Sequence, residues 1–342
     1  MNFARWIGTA AVLISNIALA TTGSEPLQNV QHRPWRPNAP GVEVPLWPKD
    51  LAIAQPPYPA PEVFGAGNGT IAGKPIQIVE HVTRPTMAIY PAKGVNTGAA
   101  LLVFPGGGYR ILAIDLEGTE ICDWATAKGI TCAVLKYRVP GSGPYWNEEC
   151  NCRRAPKEPM ALQDAQRAMG LLRQRAAEFH FDPHKVGVVG FSAGGRMVAD
   201  ISNHRTRAYK PIDEADRLPS RPDFALALYP GHLWNGKGTA IPLTKEVTID
   251  PKGPPTFIAQ AGDDGTDDTR ESLTYYLALQ QAKVPAELHL YAEGGHAFGV
   301  RQTDKPITHW TILAEAWMCG LGVLPSESAS CKGGLYAGHQ SS

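Results

Sequence analysis

Ser192 stands in the run KVGVVGFSAGGRMVAD, where alternating Val and Gly give way to helix-forming residues. A serine hydroxyl is a poor nucleophile at neutral pH unless a neighbouring base takes its proton. The pentapeptide Gly190-Phe191-Ser192-Ala193-Gly194 also suits a plain glycine-rich turn whose serine caps a helix. What separates the two is whether the chain also provides a base, an acid and an anion site. Gly190 and Gly194 favour chemistry, because small residues on either side let strand and helix backbones approach and push the hydroxyl outward.

The base is expected at His296, which follows the last strand-like segment on the double glycine of YAEGGHAFG, so that its ring can swing over a sheet edge toward Ser192. The other histidines offer less. His180 and His184 straddle Pro183 and cannot share a helical face as metal ligands, while His204, His232 and His289 lack a Gly-rich loop. A carboxylate must hold the imidazole tautomer and stabilise its charged form. In QAGDDGTDD the choice falls on Asp264, just past a strand end, with Asp263 as second candidate. A calcium loop is disfavoured, since no Glu occupies the twelfth position.

The triple glycine of FPGGGY follows an apolar strand. Gly107 and Gly108 are the expected backbone donors to a developing oxyanion, joined by Ala193 at a helix N-terminus whose dipole favours negative charge. A phosphate loop would need Lys-Ser/Thr after the glycines, and a dinucleotide site would need them spaced. Tyr109, Trp146 and Trp234 lie in segments expected to border a cleft, where aromatic faces stack on sugar rings, although ordinary packing accounts for large aromatics equally well. No metal site and no cofactor is expected. The six cysteines include no Cys-x-x-Cys pair.

These residues need elements to place them. Buried-strand runs occur at 99–104 (AALLVF), ITCAVLKY, KVGVVGF, FALALYP, PTFIAQAG and AELHLY. Helical patterns lie between them, at GTEICDWATAKG, at 162–179 with apolar residues every three or four positions, at 269–283 and at 306–318. Repeated strand–helix alternation predicts an α/β fold with a mainly parallel central sheet and helices on both faces. Function then collects where strands end and helices begin. IQIVEHV and TMAIYP are expected to form an early antiparallel pair. Arg138 and Asp164 are expected as structural residues near the core, in an ion pair or a hydrogen bond, and neither as catalytic.

Residues 1–20 resemble a secretory leader, with Arg5, an apolar run from Trp6 to Ala18, and Ala18-Leu19-Ala20 as a small-x-small cleavage site. Residues 21–75 are Pro- and Gly-rich and are expected as an extended arm along the surface. A catalytic domain is expected over 76–322 and a tail over 323–342. A leader implies a secreted or periplasmic chain, with no membrane insertion after cleavage. The 32 Lys and Arg balance the 32 Asp and Glu, which gives no electrostatic ground for nucleic acid as a partner. The even cysteine count on an exported chain makes disulfides plausible. Cys319 and Cys331 are the most natural local pair, and Cys150 and Cys152 are poorly placed to join each other. Asn68-Gly69-Thr70 matches a glycosylation acceptor that chance explains better.

Taken together, LLVFPGGGY, LKYRVP, ALQDAQRAM, VGVVGFSAGG, RPDFALALYPG and EGGHAFG resemble the α/β-hydrolase superfamily. The likeness is to secreted bacterial acetyl-xylan esterases and to relatives of the hormone-sensitive-lipase and dienelactone-hydrolase groups, over roughly residues 75 to 322. It implies a cofactor-free triad of Ser192, Asp264 and His296 acting on a small acyl ester or an acetylated polysaccharide. Two features depart from the pattern. Pro105 stands where lipase-type oxyanion loops begin with His, and GTDD replaces the Val-Pro that often follows the acid. A general carboxylesterase or feruloyl esterase is the alternative activity. A non-catalytic carbohydrate-binding protein on a degenerate hydrolase fold is the alternative class.

Overall fold

The computed structural model describes residues 27–57, 59–141, 146–147, 152–153, 159–236 and 239–332. The proposed leader therefore lies outside the described residues, as do Cys150 and most of the insertion at 140–158. In chain order the strands are β1 (Gln28–Gln31), β2 (Val42–Pro45), β3 (Val63–Ile71), β4 (Lys74–Glu80), β5 (Thr86–Tyr90), β6 (Ala100–Phe104), β7 (Leu112–Ala113) and β8 (Thr131–Lys136). They continue with β9 (Trp146–Asn147), β10 (Cys152–Arg153), β11 (Val186–Phe191), β12 (Phe224–Leu228), β13 (Thr256–Ala261) and β14 (Ala286–Tyr291). The α-helices are α1 (Glu120–Ala127), α2 (Pro159–Gln174), α3 (Ala193–Asn203), α4 (Arg270–Gln281), α5 (Trp310–Gly320) and α6 (Ala329–Lys332).

The main sheet has eight strands in the order β14-β13-β12-β11-β6-β8-β5-β2. Six of them, from β14 to β8, run parallel, while β5 is antiparallel to β8 and β2 to β5. Every residue of β6, β8, β11, β12 and β13 is buried, as strands of a sheet covered on both faces are, and these strands are apolar but for Thr131, Lys136, Thr256 and Gln260. The α/β expectation is met. α1 and α5 meet through the Trp124 and Trp310 rings, 5.4 Å apart, while α2 packs on α3 and α3 on β11 and β12.

The early antiparallel pair does not form. β4 pairs instead with β3 and with β7 in a second sheet, ordered β1-β3-β4-β7, and β5 joins the main sheet. A tight turn at Ala72 (φ 49°) and Gly73 (φ 74°) closes the β3–β4 hairpin. Both residues are left-handed, as a two-residue hairpin turn needs, but Ala at the first is not a turn signal.

The segment expected as a surface arm contributes strands to both sheets and side chains to the core. Leu46 (1%) and Trp47 (8%) are almost inaccessible. Buried polar groups fasten it. Trp47 Nε1 donates to Asp164 Oδ1 (2.8 Å), Arg167 Nε to Leu46 O (2.8 Å) and Arg138 Nη1 to Ala54 O (2.7 Å), while Lys136 pairs with Glu62 at 2.8 Å. Arg138 and Asp164 form the expected ion pair, with Arg138 Nε 2.9 Å from Oδ2 and Nη2 2.8 Å from Oδ1, both side chains buried. Deleting one partner leaves the other charge uncompensated. Asp164→Ala is therefore expected to cost ~3–5 kcal/mol in urea unfolding, and a loss below ~1 kcal/mol would show that the pair is not the anchor.

At the other end, Val323 (4%) and Leu324 (2%) are buried, and Cys331 bonds to Cys319, the pair expected from sequence. A second disulfide joins Cys122 of α1 to Cys132 of β8, Cα atoms 5.2 Å apart. Among the described residues no helix is long and apolar enough to cross a membrane, and no group of three His, Cys, Asp or Glu is placed to hold a metal ion.

Candidate active site

β11 ends at Phe191 and α3 begins at Ala193, leaving Ser192 alone at the turn with φ 52° and ψ −119°. For a residue with a Cβ this backbone costs about 1–3 kcal/mol, which the surroundings must offset. They do so by close approach. A Cβ on Gly190 would lie 2.1 Å from Gly194 O, and one on Gly194 would lie 2.0 Å from Phe104 O. The Ser192 N–H donates to Leu228 O (3.1 Å), and its carbonyl accepts from Gly195, Arg196 and Gly231. The flanking glycines are thus needed for contact between β11, α3 and β6.

His296 lies on the loop after β14. Its Nδ1 is 2.9 Å from Asp264 Oδ2 and 3.1 Å from Oδ1. An ionised carboxylate only accepts, so Nδ1 carries the hydrogen and Nε2 is left as the basic nitrogen. The Asp264 side chain is wholly buried and also accepts from the Thr266 N–H (2.9 Å) and the Asp267 N–H (3.0 Å). Asp263 has a different task. Its Oδ1 accepts from the Gly294 (2.8 Å) and Gly295 (2.7 Å) N–H groups and so holds the loop that carries His296.

Burial acts to lower the His296 pKa, but the hydrogen bond and charge of Asp264, with further negative charge from Asp267 and Glu117, outweigh it and the net shift is upward. Asp264 moves the opposite way: burial would raise it, yet its bonds to His296 and to two backbone N–H groups hold it below the usual carboxylate range. The pair is therefore set as a carboxylate against a readily charged imidazole.

Glu117 was not singled out from the sequence. It sits in a single π-helical turn, Asp115–Thr119, 2% exposed, and accepts from the Tyr229 hydroxyl (2.8 Å) and the Gly106 N–H (2.7 Å). Burial pushes its carboxyl upward. Tyr229 in turn packs edge-on against the His296 ring at 4.9 Å. The only trace in the sequence is one of three acids in ILAIDLEGTE, which together read equally as a helix start.

Glu117 occupies Gly106, and Tyr137 OH donates to Pro105 O (2.7 Å), so the triple glycine is fixed at its start. Gly107 has φ 129°, and a Cβ there would fall 2.3 Å from Ile111 O. Among the described residues none accepts from the Gly107, Gly108 or Ala193 N–H groups. Bare donors next to a nucleophile are what a developing oxyanion requires.

Asp267 is a second carboxylate, besides Glu117, that the structure adds to the site. Ser192 Oγ donates to Asp267 Oδ2 at 3.2 Å, and His296 Nε2 lies 3.9 Å from the same oxygen. Among the aromatics, Tyr109 lies beside the site, with ring contacts to Tyr137 (6.3 Å) and His232 (5.9 Å). Trp234 is engaged by the chain itself. Its Nε1 donates to Ala240 O, and Arg270 stacks on its ring at 3.9 Å. No described contact joins it to Ser192, Asp264 or His296. The backbone of Trp146 pairs with Arg153, and its side chain lies outside what is described.

Comparison with known proteins agrees with this architecture. The family described as the alpha/beta hydrolase fold matches residues 150–251. The chain is similar to an acetylxylan esterase of Xylanibacter ruminicola, at 28% identity over 59% of this chain and 42% of that protein. It is also similar to an endo-1,4-beta-xylanase B of Butyrivibrio fibrisolvens, at 25% identity over 62% of this chain and 34% of that one. Both matches span less than half of the relative's length. Among solved structures, an acetyl ester-xyloside bifunctional hydrolase from Caldicellulosiruptor lactoaceticus superposes with a TM-score of 0.62 and 27% identity, over 83% of this chain and 97% of that one. The fold is that of the α/β-hydrolases, and the chain resembles acetyl-xylan esterases.

Proposed function

We propose that the protein is a serine esterase that hydrolyses short-chain acyl esters, acetyl esters of xylan or a related plant polysaccharide foremost, outside the cytoplasm. The observation that carries this is the Asp264–His296 hydrogen bond at 2.9 Å beside a serine on a strained strand-to-helix turn. In this scheme His296 Nε2 takes the Ser192 proton as Oγ attacks the carbonyl carbon. The tetrahedral oxyanion takes hydrogen bonds from Gly107, Gly108 and Ala193. Collapse breaks the bond to the alcohol oxygen, which receives the proton from His296. Water then repeats the sequence on the acyl-Ser192 ester and releases the acid.

Asp264 serves as the triad acid, Asp263 as the support of the His296 loop, and Tyr109 as the aromatic wall of the cleft. Trp146 and Trp234 remain candidates for sugar contact. Export through residues 1–20 fits a polymeric substrate and the disulfides found among the described residues, with residues 76–322 as the catalytic unit.

The test is acetate release from acetylated xylan, measured beside p-nitrophenyl acetate and p-nitrophenyl butyrate. Acetate release from the polymer, with acetate preferred over butyrate, is the expected outcome. Cleavage of the model esters with xylan untouched would replace polysaccharide by small esters as the substrate. Inertness toward every ester would return the chain to a carbohydrate-binding role.

A further inference from the structure

We propose that Asp267 selects the alcohol half of the substrate: its carboxylate accepts a hydroxyl adjacent to the ester oxygen, so the site favours esters of polyols over esters of monohydric alcohols. This rests on the esterase reading above and deepens it.

The placement of Asp267 is what carries the inference. Oδ2 is 3.2 Å from Ser192 Oγ and 3.9 Å from His296 Nε2, so the carboxylate stands beside the gap across which the proton must pass. The departing alcohol oxygen collects its proton from Nε2 in that same gap, which puts the neighbouring carbons of the alcohol against Asp267. The backbone cannot yield, because the Asp267 N–H donates to Asp264 Oδ1 (3.0 Å) and its carbonyl accepts from the buried Gln260 Nε2 (2.7 Å). The carboxylate lies against Gly231, just past β12, where the missing Cβ leaves it room: a Cβ there would stand 2.6 and 2.7 Å from its two oxygens. The side chain is 15% exposed, enough for a ligand group to reach it.

A carboxylate accepts and does not donate. Before substrate binds it holds the Ser192 hydroxyl, directing that proton away from His296 Nε2. A substrate hydroxyl that donates to Asp267 takes over this role, and Ser192 is released to turn to the base. An ester whose alcohol has no second hydroxyl offers Asp267 no donor and leaves the serine in competition. Sites built to bond a substrate hydroxyl discriminate strongly against analogues without it, and a partly exposed group does so less completely.

The groups facing Asp267 are His296 from the loop after β14, His232 from the segment after β12, Glu271 from α4, Asp264 on its own loop and Ser192 from the elbow. Burial raises its carboxyl above the usual range, Asp264 adds to this, and the two histidines oppose it. Its negative charge in turn raises His296.

The experiment compares 2-hydroxyethyl acetate with 2-methoxyethyl acetate, whose leaving groups differ chiefly in the hydroxyl. Wild type is expected to favour the hydroxyl ester in kcat/KM by about 10-fold or more, and Asp267→Val to bring the ratio to within about twofold of unity. Asp267→Asn, a milder change that keeps a carbonyl acceptor, should give an intermediate ratio. It should also move the acid limb of the pH profile to lower pH, because His296 loses a negative neighbour and stays neutral further into acid. A wild-type ratio near unity, or a ratio that survives Asp267→Val unchanged, overturns the proposal. If wild type cleaves neither acetate nor p-nitrophenyl acetate, the esterase reading itself fails and takes this inference with it.

Discussion

Ser192→Ala is expected to lower kcat for acetate release by about 10⁵-fold or more, the scale at which loss of a triad nucleophile is felt in serine hydrolases. The substitution deletes one oxygen that is 3.2 Å from Asp267 and otherwise sits in a turn held by backbone bonds. Ala fills the same backbone with no new clash, so thermal unfolding should stay within a few degrees of wild type. Acetate release and melting temperature measured on the same preparation give the contrast. A variant that melts normally and retains a tenth of its activity would remove Ser192 from the chemistry.

The second large effect distinguishes two adjacent carboxylates. Asp264→Asn is expected to cost about 10⁴-fold in kcat, because an amide facing Nδ1 permits the wrong tautomer and no longer stabilises the imidazolium. Asp263→Asn should cost far less, on the order of 10-fold, since it weakens only the two charge-assisted bonds to Gly294 and Gly295 that seat the loop. The pH profile adds a signature. Asp264 raises His296, so its loss should shift the acid limb downward. Equal losses in the two variants, or a larger loss in Asp263→Asn, would reverse the assignment.

The legible part of this protein is the part governed by local rules. β6, β11 and β12 carry no polar side chain, and β8 and β13 are apolar but for Thr131, Lys136, Thr256 and Gln260; both faces are buried, and such runs announce themselves. Gly190 and Gly194 were readable for a related reason: a Cβ at either would strike backbone. The choice between Asp263 and Asp264 was not readable, because neighbours one residue apart face different partners and only the loop conformation decides which. The segment ahead of β4 misled, since Pro and Gly suggest an unpaired arm while its anchors, Trp47 to Asp164 and Lys136 to Glu62, are long-range contacts. Asp267 and Glu117 were missed for the same reason. Each is an ordinary acid in sequence, distinguished only by Ser192 and His296 in the first case and by Tyr229 and Gly106 in the second.

The short strand β2 has a further consequence. It covers β5, whose Met87, Ala88 and Ile89 are completely or almost completely buried and would otherwise end the sheet as a bare apolar edge. An uncovered edge of that kind is a template on which a second chain can add. β2 is four residues long, is preceded by Pro40 and closes on Pro45, which has no N–H to offer. It gives an incoming strand little to extend along. The N-terminal segment thus caps the sheet edge as well as fastening the core, and a chain shortened to residues 76–322 would be expected to expose that edge and to lose stability together, with Lys136 left without Glu62.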